Sequence, residues 1–482
     1  MPAPAPDDLI DALAGLPPQP AQTLCARLGI SQSTLSRRLA RSAAQVLRIG
    51  RARATRYALA RSLPSLGSHL PIHRIDADGR VLAVGTLHAL SDGGCWCEAV
   101  DDTLAAYQWG DNADGVHAGV PYFLWDIRPQ GFLGRLLPKQ RPELGLPDNL
   151  LHWHDDHLLI ALARAGEDLA GELLIGDESL LRWQRQRTQA PLPATADTYA
   201  QLAAAVLAGE PAGSSAGGEQ PKFAVTVADG DKGRRPVLVK FSPPRSTAGG
   251  QRWADLLVCE ALALDTLAAQ GFAAPAARIV VGEARTFLEV ERFDRCGAHG
   301  RRPVLSLAAL DAEYVGHGSG WSRVAAGLAA TGRLPAAEAA RIDWLDAFGA
   351  LIGNHDRHLG NLALIPGPAG LRLAPVYDML PMALAPDREG SVREGDGPPP
   401  VLPAGPQLIA AAIGYWSCIA ADEPMISGTG VLSAGASVAL VPAADLRRAR
   451  RTMLITSSTS KGFGMYSKAP PRNAATARSR SA

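Results

Sequence analysis

Residues 352–364, IGNHDRHLGNLAL, set a knot of polar and charged side chains between two apolar runs, and LAPVYDMLP follows at 373–381. Few folds call for that combination. Asp356 and Asn361 have the D-x-x-x-x-N spacing at which one loop turn presents a proton acceptor and a metal ligand together. Asp378 comes 17 residues after Asn361, between LRLAPVY and MLP, where phosphoryl-transfer chemistry expects a second metal-binding carboxylate. A positioned base, two metal ligands and an open face for a nucleoside triphosphate supply most of what that chemistry needs. Each residue alone also has a plain structural reading: Asp356 capping a turn, His355 and His358 as loop histidines, Asp378 in a turn.

A nucleotide also needs a cation on its phosphates. VLVKFS, residues 237–242, ends an alternating strand with Lys240, and ADLLVCEALALDTLAA downstream reads as an amphipathic helix whose Glu260 can pair with that lysine. GSSAGGEQPKFAV, residues 213–225, is a Gly and Ser loop entering a strand, and its backbone N–H groups around Gly217 and Gly218 can cover phosphates. It fits neither common phosphate-loop pattern, so by itself it suits a flexible hairpin equally well. FLEVERFDR, residues 287–295, is an apolar strand ending in charges, suited to linking two lobes while its backbone hydrogen-bonds a base.

The N-terminal region reads differently. PAQTLCARLGISQSTLSRRLARS, residues 20–42, gives two short helices separated by Gly29, with Leu24, Leu28, Ile30, Leu35 and Leu39 at helical spacing. Ser31 can cap the second helix, whose Gln32, Ser33, Thr34, Ser36, Arg37 and Arg38 are side chains able to reach base edges and phosphates. Arg48, Arg51, Arg53 and Arg56 then surround a glycine turn, as a basic wing would. The net charge of the whole chain is only +1, so contact with DNA has to come from such a local patch. The alternative is a small helical domain that docks on the rest.

From about 70 to 185 short apolar strands alternate with turn signals, and DADG marks a hairpin within IHRIDADGRVLAVGTL. His152, His154, Asp155, Asp156 and His157 fit a solvated helix start before LLIALARA better than a metal site, and Cys95 and Cys97 fit strand neighbours. PLPATADTY has a linker's composition and precedes a long α/β region from about 195 to 400. With 482 residues, two or three domains are expected. Six scattered cysteines, no signal segment and no run of about 18 apolar residues point to a cytoplasmic protein away from the membrane. Beyond 402 there are three acids against nine Lys or Arg, and the last 30 residues lack periodicity and are expected to be disordered.

GGEQPKF, VLVKFS, VERFDR, GNHDRHLGN and YDMLP, in that order and spacing, resemble the HipA family of toxin serine/threonine kinases over roughly residues 70–400. The leading helix-turn-helix resembles the family's YjjJ-like branch. The resemblance implies a multidomain α+β protein: a winged helix-turn-helix module at 1–62, a β-rich subdomain at 70–190, a bilobed kinase-like α/β core at 195–402 and an irregular basic tail at 403–482. It also implies transfer of the γ-phosphate of ATP, with magnesium, to a protein serine or threonine and to the chain itself. In that scheme Asp356 is the catalytic base, Asn361 and Asp378 hold magnesium, and Lys240, paired with Glu260, binds phosphates. Glu291 and Phe293 offer hinge backbone to adenine, Tyr377 lines the pocket, and Ser215 is the autophosphorylation position, where phosphate disfavours the nucleotide-binding loop conformation. The implied partners are a protein substrate such as a translation factor, DNA, an antitoxin and, because paired half-sites suit a dimer, a second copy of the chain.

Where the family continues into a helical bundle, this chain passes into EGDGPPPVLPAGP and the basic tail. Three other readings compete: a DNA-binding regulator with an inactive kinase-like domain, a small-molecule phosphotransferase, and a metal hydrolase around His355, Asp356 and His358, a string without established ligand geometry.

Overall fold

Gly29 and Ser31 make the first reversal of the chain. Gly29 ends a helix in the left-handed region, φ 64°, with its N–H on the Cys25 carbonyl, and Ser31 opens the next by accepting the Thr34 N–H. The helices are α1 (Asp8–Leu13), α2 (Ala21–Leu28) and α3 (Gln32–Arg41), closed around buried Leu9, Leu13, Leu24 and Leu35. Strands β1 (Gln19–Pro20), β2 (Val46–Ile49) and β3 (Arg56–Leu59) add a small sheet ordered β1-β3-β2, with Arg51 and Arg53 exposed at the β2–β3 turn. The computed structural model describes residues 8–209, 220–230, 233–367, 370–387, 389–392, 405–421 and 431–432.

The β2–β3 hairpin does not stand free. Ile49 and Ala58 bury against Leu90 and Trp96 of the next part, Arg56 pairs with Asp114, and Arg61 holds both oxygens of Asp156 at 2.7 Å. That part is an antiparallel sheet ordered β7-β6-β5-β4-β8, from β4 (His69–Ile75), β5 (Val81–Ala89), β6 (Cys95–Ala99), β7 (Val116–His117) and β8 (Leu173–Ile175). The DADG turn joins β4 to β5, with Asp76 Oδ1 accepting the N–H groups of Asp78 and Arg80. Packed around it are α4 (Tyr122–Asp126), α5 (Gly131–Gln140), α6 (Asp155–Ala165) and α7 (Asp177–Arg187). His154 caps α6 while Asp156 serves Arg61, so the histidine and aspartate cluster is a helix start, and Cys95 and Cys97 lie buried in β6.

The third part begins with α8 (Ala196–Leu207), capped by Thr195. PLPATADTY is therefore a linker only in its first half, and that half is strapped down: Leu192 donates to Thr226 at 3.0 Å and accepts from Ala228 at 2.8 Å. Five antiparallel strands follow in the order β18-β11-β12-β10-β9, from β9 (Lys222–Ala228), β10 (Arg234–Phe241), β11 (Ala277–Val281), β12 (Thr286–Glu291) and β18 (Val431–Leu432). Alternation on β10 sends Val237, Val239 and Phe241 into the core under α8. It sends Lys240 to the opposite face, against α9 (Ala248–Ala269). A hairpin of β13 (Arg295–Cys296) and β14 (Gly300–Arg301) leads to a second lobe: α10 (Leu307–Tyr314), α11 (Trp321–Ala330) and α12 (Ala336–Leu351), with a sheet of β15 (Leu305–Ser306), β16 (Ala363–Gly367) and β17 (Gly370–Leu373).

The expected irregular tail is corrected in its first part. Residues from Pro406 to Ala421 form α13, which packs on α9 and α12 and buries Leu408, Ile409, Ala412, Tyr415 and Ile419. Those positions recur every three or four residues, a helical stripe masked by reading the segment together with the basic residues that follow it. Most of the remaining tail lies outside the described residues. No helix among the described residues is long and apolar enough to cross a membrane. Because Tyr415 is fully buried, meets the Phe348 ring edge-on and donates to the Cys259 carbonyl, Tyr415→Ala should cost about 3–5 kcal/mol. Urea unfolding measures this, and a loss below about 1 kcal/mol would return α13 to the tail.

Candidate active site

The cleft between the two lobes gathers the charged residues. Lys240, 3% exposed, donates to both oxygens of Glu260 at 2.7 and 2.8 Å and also contacts the Asp378 carboxylate. Burial works against the charge on Lys240, but Asp378 and Glu260 outweigh it and hold the ammonium above its ordinary pKa. Burial likewise pushes the Asp378 carboxyl up, and Lys240 reverses that, leaving it below the usual range. For Glu260 burial wins, and its pKa lies above the usual range. Asp378 sits at φ 53°, a left-handed conformation that costs a non-glycine residue about 1–3 kcal/mol and persists because its surroundings hold it.

The loop after α12 is built from its own polar side chains. Asn354, fully buried, accepts the Asp356 N–H at 3.0 Å and donates to the Asp378 carbonyl at 3.3 Å. One amide therefore ties the catalytic-loop candidate to the metal-ligand candidate. Asn361 donates from Nδ2 to the Asp356 carbonyl at 2.9 Å, which leaves its Oδ1 for a cation. Arg357 binds Asp346 at 2.9 Å and the Asn354 carbonyl, and Trp321 Nε1 donates to the His358 carbonyl at 2.9 Å. His358 itself accepts the Gly360 N–H, while His355 and the Asp356 carboxylate face solvent. The Asn361 and Asp378 oxygens are hard donors of the kind magnesium takes, so this pair fits that ion.

Phe293 and Tyr377 stack at 5.7 Å and 27°, and the Tyr377 hydroxyl donates to the Gly360 carbonyl. Glu291 spends its N–H on the Ala276 carbonyl at 2.9 Å, so its carbonyl is the group it can offer a base. Ser215, Gly217 and Gly218 lie outside the described residues. In the N-terminal module Gln32, Ser33, Ser36 and Arg37 are exposed. Thr34 bonds Ser31, and Arg38 is turned toward Asp8 at 3.4 Å, so these two are partly committed to the module itself.

Two residues escaped the sequence reading. Asn354 carried no signal, because an asparagine in a polar loop reads as surface. Lys222 did carry one: it is the lysine of GGEQPKF, lies opposite Lys240 in the β9–β10 register, is 2% exposed, and its charge helps hold Asp378 low.

Residues 66–184 match the model of the YjjJ-like toxin middle domain, and residues 214–401 that of the HipA-like C-terminal domain. Toxin YjjJ of Escherichia coli (strain K12) is 38% identical over 384 residues, spanning 78% of this chain and 83% of that protein. Among solved structures, HipA of Shewanella oneidensis MR-1, from a toxin-antitoxin complex with HipB and operator DNA, aligns with a TM-score of 0.50 at 18% identity. The alignment covers 82% of this chain and 98% of that one, and it speaks for a shared fold. The proinflammatory kinase CtkA of Helicobacter pylori aligns over 33% of this chain and 53% of its own at 16% identity, with a TM-score of 0.24. With both domain matches in chain order and a relative this similar over most of its length, the chain belongs to the YjjJ-like toxins of the HipA family.

Proposed function

We propose that this chain is an ATP-dependent protein kinase that phosphorylates a serine or threonine of a protein and of itself at Ser215, and that it binds DNA through its N-terminal module. The observation that carries the kinase reading is the linkage of Lys240, Glu260, Asp378, Asn354, Asp356 and Asn361 into one hydrogen-bonded set across the cleft. Lys240 binds phosphate, Asp356 accepts the hydroxyl proton, and Glu291 and Phe293 receive the adenine with Tyr377 behind Phe293. Asn361 and Asp378 would hold magnesium, whose contribution is to neutralise phosphate charge. A protein substrate such as a translation factor, a DNA-binding antitoxin, a second copy of the chain and a cytoplasmic setting complete the proposal. The HipB and operator DNA beside the Shewanella protein support the DNA and antitoxin parts.

Incubation with labelled ATP and magnesium tests the kinase. Wild-type protein should label itself at Ser215, Ser215→Ala should not, and Asp356→Asn should lose about 10²–10⁴-fold in rate. A folded wild type that takes no label would shift the reading to a DNA-binding protein with a silent kinase-like domain. Asn354→Ala should keep the fold and slow labelling about tenfold or more, since both Asp356 and Asp378 lose a tether; an unchanged rate would make Asn354 a packing residue only.

For DNA, Arg37→Ala and Arg51→Ala should each weaken promoter binding across sequences and lower the salt slope by about 1. Fluorescence titrations at several salt concentrations read this, and identical slopes would leave the module without a phosphate-contacting role.

A further inference from the structure

The segment that would read the base is held by another part of the chain. Arg292 and Arg295, which bracket Phe293 and Asp294, both donate to Asp168 Oδ1 at 2.8 Å, from Nη1 and Nη2 respectively. Asp168 belongs to the loop between α6 and β8 of the middle domain. Arg295 Nη2 also donates to the Leu169 carbonyl at 2.9 Å, and Asp294 accepts the Gly171 N–H at 3.1 Å. Within the segment, Asp294 pairs with Arg292 at 2.9 Å and with Arg295 at 2.6 Å. The two arginines are 11% and 8% exposed at the side chain, Asp294 is 9% and Asp168 is 23%, so these bonds are largely shielded from water.

The neighbouring hairpin is fastened to the same domain. Arg301, 2% exposed, donates its N–H to the Asp76 carbonyl at 3.0 Å and its guanidinium to the Glu167 carbonyl. Gly300 lies so close to the DADG turn that a Cβ there would fall 1.9 Å from the Ala77 carbonyl oxygen. Residues 292–301 are therefore placed as much by the middle domain as by the lobe they belong to.

We infer that Asp168 is a positioning residue for nucleotide recognition: it fixes, through Arg292 and Arg295, the backbone of Phe293 that meets the adenine. This rests on the kinase reading. Without its carboxylate the two arginines keep Asp294 but lose the charge that fastens them to the middle domain, and the backbone between them loses the geometry that distinguishes one base from another. The triphosphate, by contrast, is held on Lys240 of β10, whose register partner on β12 is Leu288, three residues before Glu291. Loss of Asp168 should therefore cost base recognition and leave phosphate recognition in place.

The test is competition of ATP and GTP against a fluorescent ATP analogue bound to the full chain, for wild type, Asp168→Asn and Arg292→Lys. Wild type should prefer ATP. In the variants ATP should weaken about tenfold, as expected for one or two misplaced hydrogen bonds, with GTP changing less than about twofold. An unchanged ATP affinity, or equal weakening of both nucleotides, would overturn the inference and make the cluster a structural tie. If Asp168→Asn does not fold, Arg292→Lys, which keeps the charge and loses the planar fork, decides between the same outcomes. A wild type that binds no nucleotide at all would instead remove the kinase reading on which the inference stands.

Discussion

A lysine buried between two carboxylates organises this molecule. Removing Lys240, Glu260 and Asp378 from water is costly for each, and the cost is offset only while all three stay in contact. That requirement fixes the relation of three elements far apart in sequence: strand β10, helix α9 and the turn at Asp378. The trio carries one positive and two negative charges, and Lys222, next to Lys240 on the paired strand, supplies the second positive charge. On the proposed function, the two lysines are the cations that a polyphosphate would meet. On the same reading, the Asp378 Oδ1 that Lys240 contacts belongs to the carboxylate that would hold magnesium.

The rest of the site hangs from that turn. Asn354 reaches from the end of α12 to the Asp378 carbonyl and, with its other end, orients Asp356; Asn361 then returns to the Asp356 carbonyl. Arg357, Trp321 and Tyr377 hold the outside of the loop through carbonyls at 354, 358 and 360. In a segment without regular secondary structure, side chains have to satisfy the backbone groups that a helix or strand would pair. The polar density of GNHDRHLGN is the visible consequence, and it explains why so short a string is so informative.

That string, the alternation of VLVKFS and the apolar face of α9 made the cleft legible from sequence, because each rests on local periodicity or spacing. Lys240 and Glu260 belong to one strand and one helix whose patterns are plain. Asn354 was illegible because its role depends on a carbonyl 24 residues away, and no local rule reports such a contact. Asp168 was illegible for the same reason at a greater separation, 124 residues from Arg292. Helix α13 was hidden by its neighbourhood. Its apolar stripe sits beside a proline-rich passage and a basic tail, and composition taken over the whole segment averaged the stripe away.

The middle domain has contacts on both sides. Toward the N-terminus it receives the N-terminal module through Trp96, Asp114 and Asp156, and toward the C-terminus it grips residues 292–301 through Asp76, Glu167, Asp168 and Gly171. Both contacts combine buried apolar or well-shielded side chains with charged hydrogen bonds, which resist small rotations better than a flat polar interface would. Arg61 binds Asp156 in the first turn of α6, and the loop that follows this helix carries Glu167 and Asp168. The route of contacts from the N-terminal module to residues 292–301 is thus a single helix and two ion-pair clusters. Its short length follows from the order in which the three parts are strung along the chain.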